Sequence, residues 1–594
     1  MGLVMIISAL LPGSMDPVSP ATSMAHAPLI VAAVSASAGS IFQRMQASDR
    51  RVIDEIASAI SSVEGAHLLN IDPGKATNRT VITFAGSPEP VLEAAFRAVK
   101  KAMELIDMSK HHGEHPRFGA TDVLPLVPVQ GISMEETAEL ARALGKRIGE
   151  ELGIPVYLYE HAASRPERKN LATVRAGEYE GLQAKLADPA WKPDFGPAVF
   201  LPRTGAIAVG ARDFLIAYNI NLNTTSTRRA NAVAFDIREK GRPKREGNPV
   251  TGKIVRDEQG NPVMIPGSLR HVKAIGWFIE EYGIAQVSCN LTNIRETPLH
   301  IVFEEACSKA EARGMRVTGS EIVGLVPLQS LLEAGKYFLR KQKRSTGVSD
   351  EELIRIAVRS LGLNDLYPFR PEEKVIEYLL REKGISLLSD LTVRGFLEET
   401  ASESPAPGGG SVSALMAAAG ASLGMMVANL SAHKPGWDER WEEFSQWAEK
   451  AKAVQQELIR LIDEDTRAFN ALMEAYRLPK NTEEEAARRT SAIQEAVLHA
   501  MEVPLCVMKS GWQALPVVKA MAETGNPNSI SDAAVGALAI IAGIRGAHLN
   551  VKINASSLKD KEKAAPILRE AEEIEKQAVE YENTILEFVR KAIK

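Results

Sequence analysis

The sequence predicts a multidomain protein with two α/β (α+β) subdomains followed by one all-α helical domain. The chain has 594 residues, whereas one domain usually holds roughly 100 to 200. Strand-like and helix-like patterns alternate from residue 51 to about residue 290, which is typical of sheets covered by helices. Beyond residue 390 the apolar positions recur only at helical spacing, so we expect long helices up to Lys594.

The first subdomain is predicted to span residues 49–213. Short apolar runs bounded by turn residues predict strands at residues 66–72, 80–84, 122–129 and 156–159. Amphipathic stretches between these runs predict helices at residues 52–62, 90–108 and 134–152. Residues 1–48 lack clear periodicity and are interpreted as an atypical N-terminal extension, in which residues 29–31 and Val34 are the remnant of a strand.

The second subdomain is predicted at residues 214–380, with strands at 214–221 and 285–290 and a Gly- and Pro-rich hairpin at 247–266. Residues 381–391 are the predicted linker, and residues 392–594 the all-α domain. Within that domain, residues 414–430 are apolar and uncharged. They are short for a bilayer, which needs roughly 20 residues, so a buried helix is expected and a membrane partner is not.

Composition excludes several classes of protein. The formal net charge of −5 gives no basic excess for a nucleic-acid partner. The apolar run at residues 3–11 has no preceding Lys or Arg, so a signal peptide is poorly supported. Cys289, Cys307 and Cys506 follow no metal-ligand spacing and fit a reducing, cytoplasmic compartment.

A first candidate site lies in the loop at residues 111–119, between a predicted helix and a predicted strand. Its sequence is His-His-Gly-Glu-His-Pro-Arg-Phe-Gly. His115 has Glu114 as an orienting group and Arg117 as an anion-binding group within reach. The alternative is a polar loop whose histidines are merely solvated, because their spacing is not that of a metal site.

A second candidate site is Asp465, within a helix predicted at about residues 447–476. Its neighbours three, four and seven residues away are all apolar, so it is expected to face the interior. The corresponding neighbours of Asp463 and Glu464 are mostly polar, so those acids are expected to face solvent. A buried carboxylate must be protonated, paired or functional. The alternative is a structural Asp paired with a buried Arg or a backbone amide.

Two further loops are candidates to complete the second site. Gly408, Gly409, Gly410 and Ser411 precede the small-residue helix, and glycines let backbone amides approach an anionic ligand closely. A segment from residue 525 to Asp532, which includes Asn526, opens another predicted helix. A glycine-rich loop alone is weak evidence, because it is often only a turn.

Several of these segments resemble motifs of the formiminotransferase-cyclodeaminase family. The first is Glu-His-Pro-Arg-Phe-Gly-Ala at residues 114–120. Similar matches occur at residues 69–72, 77–81, 175–180, 194–197, 210–212, 214–222 and 324–328, and in the helical half at Leu-Ile-Asp-Glu-Asp (461–465) and residues 550–554. The resemblance runs from about residue 51 to the C-terminus.

The resemblance implies two linked activities of histidine degradation. A formimino group passes from N-formimino-L-glutamate to tetrahydrofolate, and 5-formiminotetrahydrofolate then cyclises to 5,10-methenyltetrahydrofolate with release of ammonia. It implies that His115 is the general base of the first step and Asp465 the catalytic acid of the second. It also implies that Gly408, Gly409, Gly410, Ser411, Asn526 and Asp532 line the cyclodeaminase pocket. The implied folate-binding loop consists of Gly196, Pro197, Ala198, Val199, Phe200, Leu201, Pro202, Arg203, Thr204 and Gly205.

The resemblance further implies that tetrahydrofolate is a co-substrate, in polyglutamylated form, and that no metal or redox cofactor is needed. The partners are small molecules, namely formiminoglutamate and folates. A homo-oligomer is expected, because the helical domain has more apolar helix faces than it can bury alone.

The chain departs from the family at its beginning. Family members start with a strand and a Pro-Asn-Phe-Ser-Glu-Gly loop, which residues 35–48 do not match. One alternative is therefore a cyclodeaminase only, whose N-terminal half is a folate-binding and assembly module. A second is a folate-binding scaffold without catalysis.

Overall fold

The computed structural model describes residues 29–36, 47–74, 79–111, 117–248, 252–380, 387–404 and 406–593. The chain forms two compact units. One comprises Met1–Ala334 with Ile354–Glu382, and the other comprises Gly335–Leu353 with Lys383–Lys594. The apolar run at residues 3–11 lies outside the described residues.

The first subdomain is a six-stranded sheet with the strand order β2-β3-β1-β4-β6-β5. Strands β4, β6 and β5 are parallel to one another, whereas β2, β3 and β1 pair antiparallel. Its elements in chain order are β1 (Leu29–Ala36), α1 (Ala47–Ser61), β2 (Ala66–Gly74), β3 (Arg79–Gly86), α2 (Pro88–Leu105), β4 (Thr121–Gln130), α3 (Met134–Glu151), β5 (Val156–Glu160), α4 (Leu171–Val174), α5 (Glu178–Ala187) and β6 (Ile207–Ala211).

Strand β1 corrects the predicted N-terminal extension. It lies inside residues 1–48, yet it is an inner strand between β3 and β4. Ile30, Val31 and Ala32 are fully buried, because both neighbouring strands and a covering helix exclude water from this run. The strand remnant expected at residues 29–31 is confirmed, and the assignment of residues 29–36 to an extension is wrong.

Helices cover this sheet because their apolar residues recur on one face. In α2 the buried positions include Val91, Ala94, Ala98 and Ala102, which repeat at three- and four-residue spacing. Helix α3 begins with a capping box, in which the Ser133 side chain and the Glu136 side chain satisfy each other's backbone amides. The predicted helices are therefore confirmed, with boundaries shifted by a few residues.

The second subdomain contains a four-stranded antiparallel sheet with the order β10-β11-β7-β12. The strands predicted at 214–221 and 285–290 correspond to β7 and β11. Residues 249–251 of the Gly- and Pro-rich segment lie outside the described residues. The two short strands β8 and β9 pair antiparallel and bring the ends of this segment together. The elements are β7 (Ile216–Leu222), α6 (Thr227–Ile237), β8 (Arg242–Pro243), β9 (Met264–Ile265), β10 (Val272–Ile279), β11 (Ile284–Leu291), α7 (Leu299–Glu311) and β12 (Val317–Val323).

The segment after this sheet lies within the predicted bounds of 214–380. It forms α8 (Leu328–Lys341), α9 (Asp350–Ser360), α10 (Pro371–Lys374) and α11 (Ile376–Leu379). Residues 335–353 belong to the helical unit. The backbone amide of Thr346 donates to Ser445 Oγ at 3.0 Å, and Asn429 Nδ2 donates to the Gly347 carbonyl at 2.8 Å. These hydrogen bonds to distant residues show why residues 335–353 belong to the helical unit, although they precede it in the chain.

The helical domain contains α12 (Val393–Thr400), α13 (Gly409–Ala432), α14 (Trp441–Arg477), α15 (Glu483–Thr524), α16 (Ile530–Ser557) and α17 (Lys561–Ala592). Between residues 387 and 593 the described chain has no strand, as predicted. Helix α13 packs against α14 and α16. A Cβ atom added at Gly420 would lie 2.5 Å from the Gly536 carbonyl oxygen, so α13 and α16 approach each other at their backbones.

Two helical segments of the described chain pass a length and composition test for a bilayer span. They are Gly409–Ala432 and Pro527–Ser557, with mean hydropathies of 1.6 and 1.5. About half of each apolar window, 56% and 50%, is buried within the chain. The predicted helix at residues 414–430 lies within the first of them.

Candidate functional site

The second candidate site is built where α14 passes the N-terminus of α13. Asp465 Oδ2 accepts hydrogen bonds from the Ser411 backbone amide at 2.8 Å and from Ser411 Oγ at 2.9 Å. Asp465 is half-buried, whereas Ser411 is fully buried. The predicted inward direction of Asp465 thus has a structural cause, which is a specific partner on a neighbouring helix.

The environment of Asp465 favours the protonated carboxyl more than water does. Burial raises the pKa of Asp465, and the two hydrogen bonds from Ser411 lower it in part. The pairing with a backbone amide matches the structural alternative considered from the sequence. The raised pKa and the remaining exposure are what a proton-transferring carboxyl requires.

The glycine-rich segment, which was predicted to precede the helix but forms the first turn of α13 at Gly409 and Gly410, is held against this carboxyl. A Cβ atom at Gly410 would lie 2.0 Å from Asp465 Oδ1, so position 410 admits no side chain. A Cβ atom at Gly409 would lie 3.3 Å from Asn550 Nδ2 on α16. Gly408 is the N-cap residue of α13. The structure therefore brings three parts of the chain together: the segment at residues 408–411, Asp465 on α14 and Asn550 on α16.

The other two residues of the predicted pocket lie at the opposite end of α13. The Asn526 backbone amide donates to Ser431 Oγ at 2.8 Å, and Asp532 follows in the first turn of α16. Twenty residues separate Ser411 from Ser431 on one helix, which is about 30 Å at the α-helical rise. Within one chain, Asn526 and Asp532 therefore lie far from the Asp465 carboxyl.

The two acids beside Asp465 behave differently from the expectation. Asp463 was expected in solvent, but it is buried: its carboxylate accepts from the Leu388 amide at 2.7 Å and from Ser389 Oγ at 2.6 Å. The end of the predicted linker folds over it, which the polarity of its helical neighbours does not reveal; residues 381–386 lie outside the described residues. Glu464 pairs with His499 on α15 at 3.3 Å, and this hydrogen bond lowers the pKa of Glu464 to about 2 and raises that of His499.

The first candidate site is described only at its borders, because His115 and Glu114 lie in residues 112–116, outside the described residues. Arg117 was expected to bind an anion. Instead its buried guanidinium makes a bidentate pair with Glu180, with both N–O distances at 2.8 Å. That hydrogen bond raises the pKa of Arg117. In the structure, a residue 63 positions away thus occupies both terminal nitrogens of Arg117, which the sequence did not reveal.

The predicted folate-binding loop, Gly196 to Gly205, is fixed at its C-terminal part and exposed at its apex. The Met108 amide donates to the Arg203 carbonyl at 2.9 Å, and the Ala120 amide donates to the Thr204 carbonyl at 2.8 Å. Pro197, Ala198 and Val199 are exposed. The loop thus presents a small apolar surface at its apex, while its C-terminal part lies beside the segment that ends the His115 loop.

The sequence did not reveal a polar layer on the second sheet. Tyr367 Oη donates to Glu321 Oε1 at 2.6 Å, and Gln286 Nε2 donates to Asn221 Oδ1 at 2.8 Å. Burial raises the pKa of Asp72 at the end of β2, Lys374 lowers it and Glu321 raises it further. The available signal was Asn219 and Asn221, two amides on one face of an otherwise apolar strand.

Asp72 lies at the same edge of the first sheet as the two loops. Strand β2 runs antiparallel to β4 and β6 through the order of the sheet. Its C-terminal end therefore meets the N-terminal ends of β4 and β6, which the His115 loop and the folate-binding loop precede. Asp72 and the polar layer are additional candidates for the first site.

Comparison with known proteins relates most of the chain, from residue 44 to residue 573, to one family. The model of the formiminotransferase domain, N-terminal subdomain, matches residues 44–212. That of the formiminotransferase domain matches residues 217–381, and that of formiminotransferase-cyclodeaminase matches residues 392–573.

Individual relatives match either most of the chain or one part of it. Formimidoyltransferase-cyclodeaminase of Mus musculus is 44% identical over 516 residues, which are 87% of this chain and 92% of that protein. Glutamate formimidoyltransferase of Thermoplasma acidophilum is 43% identical over 294 residues, 49% of this chain and 88% of the relative. Methenyltetrahydrofolate cyclohydrolase of Methylorubrum extorquens is 40% identical over 202 residues, 34% of this chain and 97% of the relative.

Proposed function

Because the chain belongs to the formimidoyltransferase-cyclodeaminase family, we propose that it catalyses both linked reactions. It transfers the formimino group of N-formimino-L-glutamate to N5 of tetrahydrofolate. It then closes 5-formiminotetrahydrofolate to 5,10-methenyltetrahydrofolate and releases ammonia. The observation that carries this proposal is identity to the Mus musculus relative across both halves. It favours two activities over the cyclodeaminase-only alternative.

In the first reaction, N5 of tetrahydrofolate attacks the formimino carbon and the glutamate nitrogen leaves. N5 loses one proton and the departing nitrogen gains one. His115 is proposed as the base that removes the first and returns the second, since imidazole has an unperturbed pKa of about 6.5. The apolar apex of the loop from Gly196 to Gly205 is proposed to hold the pterin. Asp72 supplies a second carboxyl at the same sheet edge.

In the second reaction, N10 attacks the formimino carbon and the terminal nitrogen leaves as ammonia. N10 gives up a proton, and the leaving nitrogen must be protonated before the C–N bond breaks. Asp465 is proposed to accept the first proton and deliver the second, with Ser411 fixing its carboxyl. A carboxyl with a raised pKa suits this role, because burial makes its protonated form easier to reach than it is in water.

Neither step changes an oxidation state, so the proposal includes no redox cofactor, and it assigns proton transfer to side chains rather than to a metal. Tetrahydrofolate, with a polyglutamate tail, is the proposed co-substrate, and no nucleic-acid or membrane partner is included. A cytoplasmic location is proposed because Cys289, Cys307 and Cys506 are all free thiols.

We also propose that the protein is a homo-oligomer in which α13 and α16 meet their copies. Large apolar side chains recur on the exposed faces of both helices. They are Leu415, Met426, Leu430, Val535, Leu538, Leu549 and Ile553. A two-fold interface along α13 would bring the Asn526 end of one copy beside the Asp465 end of the other. Such an interface would reunite the two parts of the predicted pocket.

A coupled assay tests both activities. Formiminoglutamate and tetrahydrofolate are supplied, and methenyltetrahydrofolate absorbance and ammonia are followed together. His115→Asn should abolish product formation from formiminoglutamate and leave turnover of supplied 5-formiminotetrahydrofolate intact. Asp465→Asn should lower the second turnover by on the order of 100-fold or more.

Matched variants control for structural damage. His112→Asn alters the same loop, and Asp463→Asn alters the buried acid on the same helix. Asp463→Asn should reduce the melting temperature and retain the second turnover. If only supplied 5-formiminotetrahydrofolate is turned over by the unaltered chain, the cyclodeaminase-only alternative stands. A folded chain with neither activity excludes the enzyme proposal.

A further inference from the structure

Tyr179 lies between the two loops assigned to the first reaction. Its Oη donates a hydrogen bond to the Pro202 carbonyl oxygen at 2.6 Å, and its ring centroid lies 5.5 Å from that of Phe200. Both contacts reach the loop from Gly196 to Gly205. On the other side, the Tyr179 backbone amide donates to the Arg117 carbonyl at 2.8 Å. Arg117 follows His115 by two residues in the chain.

The backbone before Tyr179 is held in an unusual conformation. Gly177 and Glu178 both have positive φ angles, of 89° and 54°. A left-handed Glu is uncommon and costs free energy, so the surrounding contacts must fix it. Glu178 lies 3.5 Å from the Arg117 guanidinium, and Glu180 makes the bidentate pair with the same group. Tyr179 is thus held next to Arg117, because the residues before and after it, Glu178 and Glu180, both pair with the Arg117 guanidinium.

We propose that Tyr179 is a positioning residue of the transferase, which fixes the folate-binding loop relative to Arg117, two residues after His115 in the chain. This inference rests on the proposed roles of that loop and of His115. Proton transfer to and from N5 needs a base within hydrogen-bond reach, and a displacement of about 1 Å can cost roughly 100-fold in rate. Tyr179 contacts neither reacting atom, so it acts through Pro202, Phe200 and Arg117.

Tyr179→Phe tests the hydroxyl contact alone. We expect the KM for tetrahydrofolate in the transfer reaction to rise roughly three- to tenfold, which is the effect of one lost hydrogen bond. The turnover of supplied 5-formiminotetrahydrofolate should not change, because the helical domain is untouched. Tyr179→Leu also removes the ring contact, and kcat should then fall as well.

Tyr157→Phe is the matched control. Tyr157 Oη donates to the Trp191 carbonyl at 2.7 Å, which is the same kind of hydrogen bond in the same subdomain. It should lower the melting temperature without changing the KM for tetrahydrofolate. An unchanged KM in Tyr179→Phe, or an equal rise in both variants, would overturn the positioning role.

Direct binding separates this proposal from the proposed function. The Kd for tetrahydrofolate is measured by quenching of tryptophan fluorescence, which needs no turnover. Weaker binding in Tyr179→Phe alone supports the inference even if the unaltered chain fails to transfer a formimino group. Equal Kd values for the unaltered chain and Tyr179→Phe reject it, whatever the activity.

Discussion

Asp463 and Asp465 stand two residues apart on α14 and have different surroundings. The Asp463 carboxylate accepts from the amides of Leu388 and Ser389 and from Ser389 Oγ, so its charge is well compensated. Asp465 has Ser411 as its partner, and burial outweighs those two hydrogen bonds in setting its pKa. A group that is costly to keep charged in the folded state is expected where a site needs proton transfer.

Asp465→Asn should therefore raise the melting temperature at pH 7 while it removes the second activity. The folded pKa of Asp465 lies above the unfolded value of about 3.9. Above the raised pKa the carboxylate is charged in both states, and the folded state bears its desolvation. As pH falls through that pKa the group becomes neutral, so the advantage of Asn should shrink and vanish below about pH 4. Thermal unfolding of both proteins from pH 4 to 8 checks this, and a lower melting temperature at pH 7 would contradict it.

At the scale of elements, small residues decide how α13 and α16 pack. The two backbones meet at Gly420 and Gly536, and a Cβ atom at Gly420 would also lie 2.6 Å from Ile540 Cγ1. This close approach places Asn550 beside Gly409 at one end of the pair. The geometry of the second site therefore depends on glycines up to three turns away from it.

Gly420→Ala should destabilise the helical domain by about 1–3 kcal/mol, because the added methyl group overpacks the contact. This loss should exceed the gain of about 1 kcal/mol that Ala brings to an unconstrained helix. Urea unfolding measures the difference. Ala419→Ser is the matched control, since it also adds one heavy atom, at the exposed neighbouring position. A more stable Gly420→Ala protein would contradict the close approach.

At the scale of the whole molecule, the helical domain leaves large apolar side chains in solvent. Leu549 and Ile553 on α16 are 69% and 66% exposed, one turn apart on the same face. Contiguous exposed apolar surface is typical of protein interfaces. The separation of Asn526 from Asp465 within one chain points to the same surface.

Leu549→Glu combined with Ile553→Glu should lower the mass of the assembly in solution, because buried charges oppose association. Light scattering after size exclusion measures the mass, and circular dichroism verifies that the helices persist. Leu397→Glu, at a side chain 59% exposed on α12, is the control and should leave the mass unchanged. A single-chain mass for the unaltered protein would reject the homo-oligomer.

Sequence periodicity was sufficient to predict most of the long helices and many of the strands. Period-two and period-3.6 patterns identified the main strands and helices, because each pattern records which side of its own element meets the core. The same reasoning predicted the inward direction of Asp465 and the absence of strands beyond residue 390. The motifs from residues 69–72 to 550–554, with that at 114–120 among them, together indicated the family, since each is local in sequence.

Only the tertiary structure decided contacts between distant residues. It made residues 29–36 an inner strand, joined residues 335–353 to the helical unit, and placed the linker end over Asp463. It also paired Arg117 with Glu180 and separated Asn526 from Asp465. Local patterns report whether a residue faces inward, but its partner depends on where the chain returns. The inward face of most single elements was therefore readable from the sequence, whereas pairing, and the burial that pairing gives to Asp463, was not.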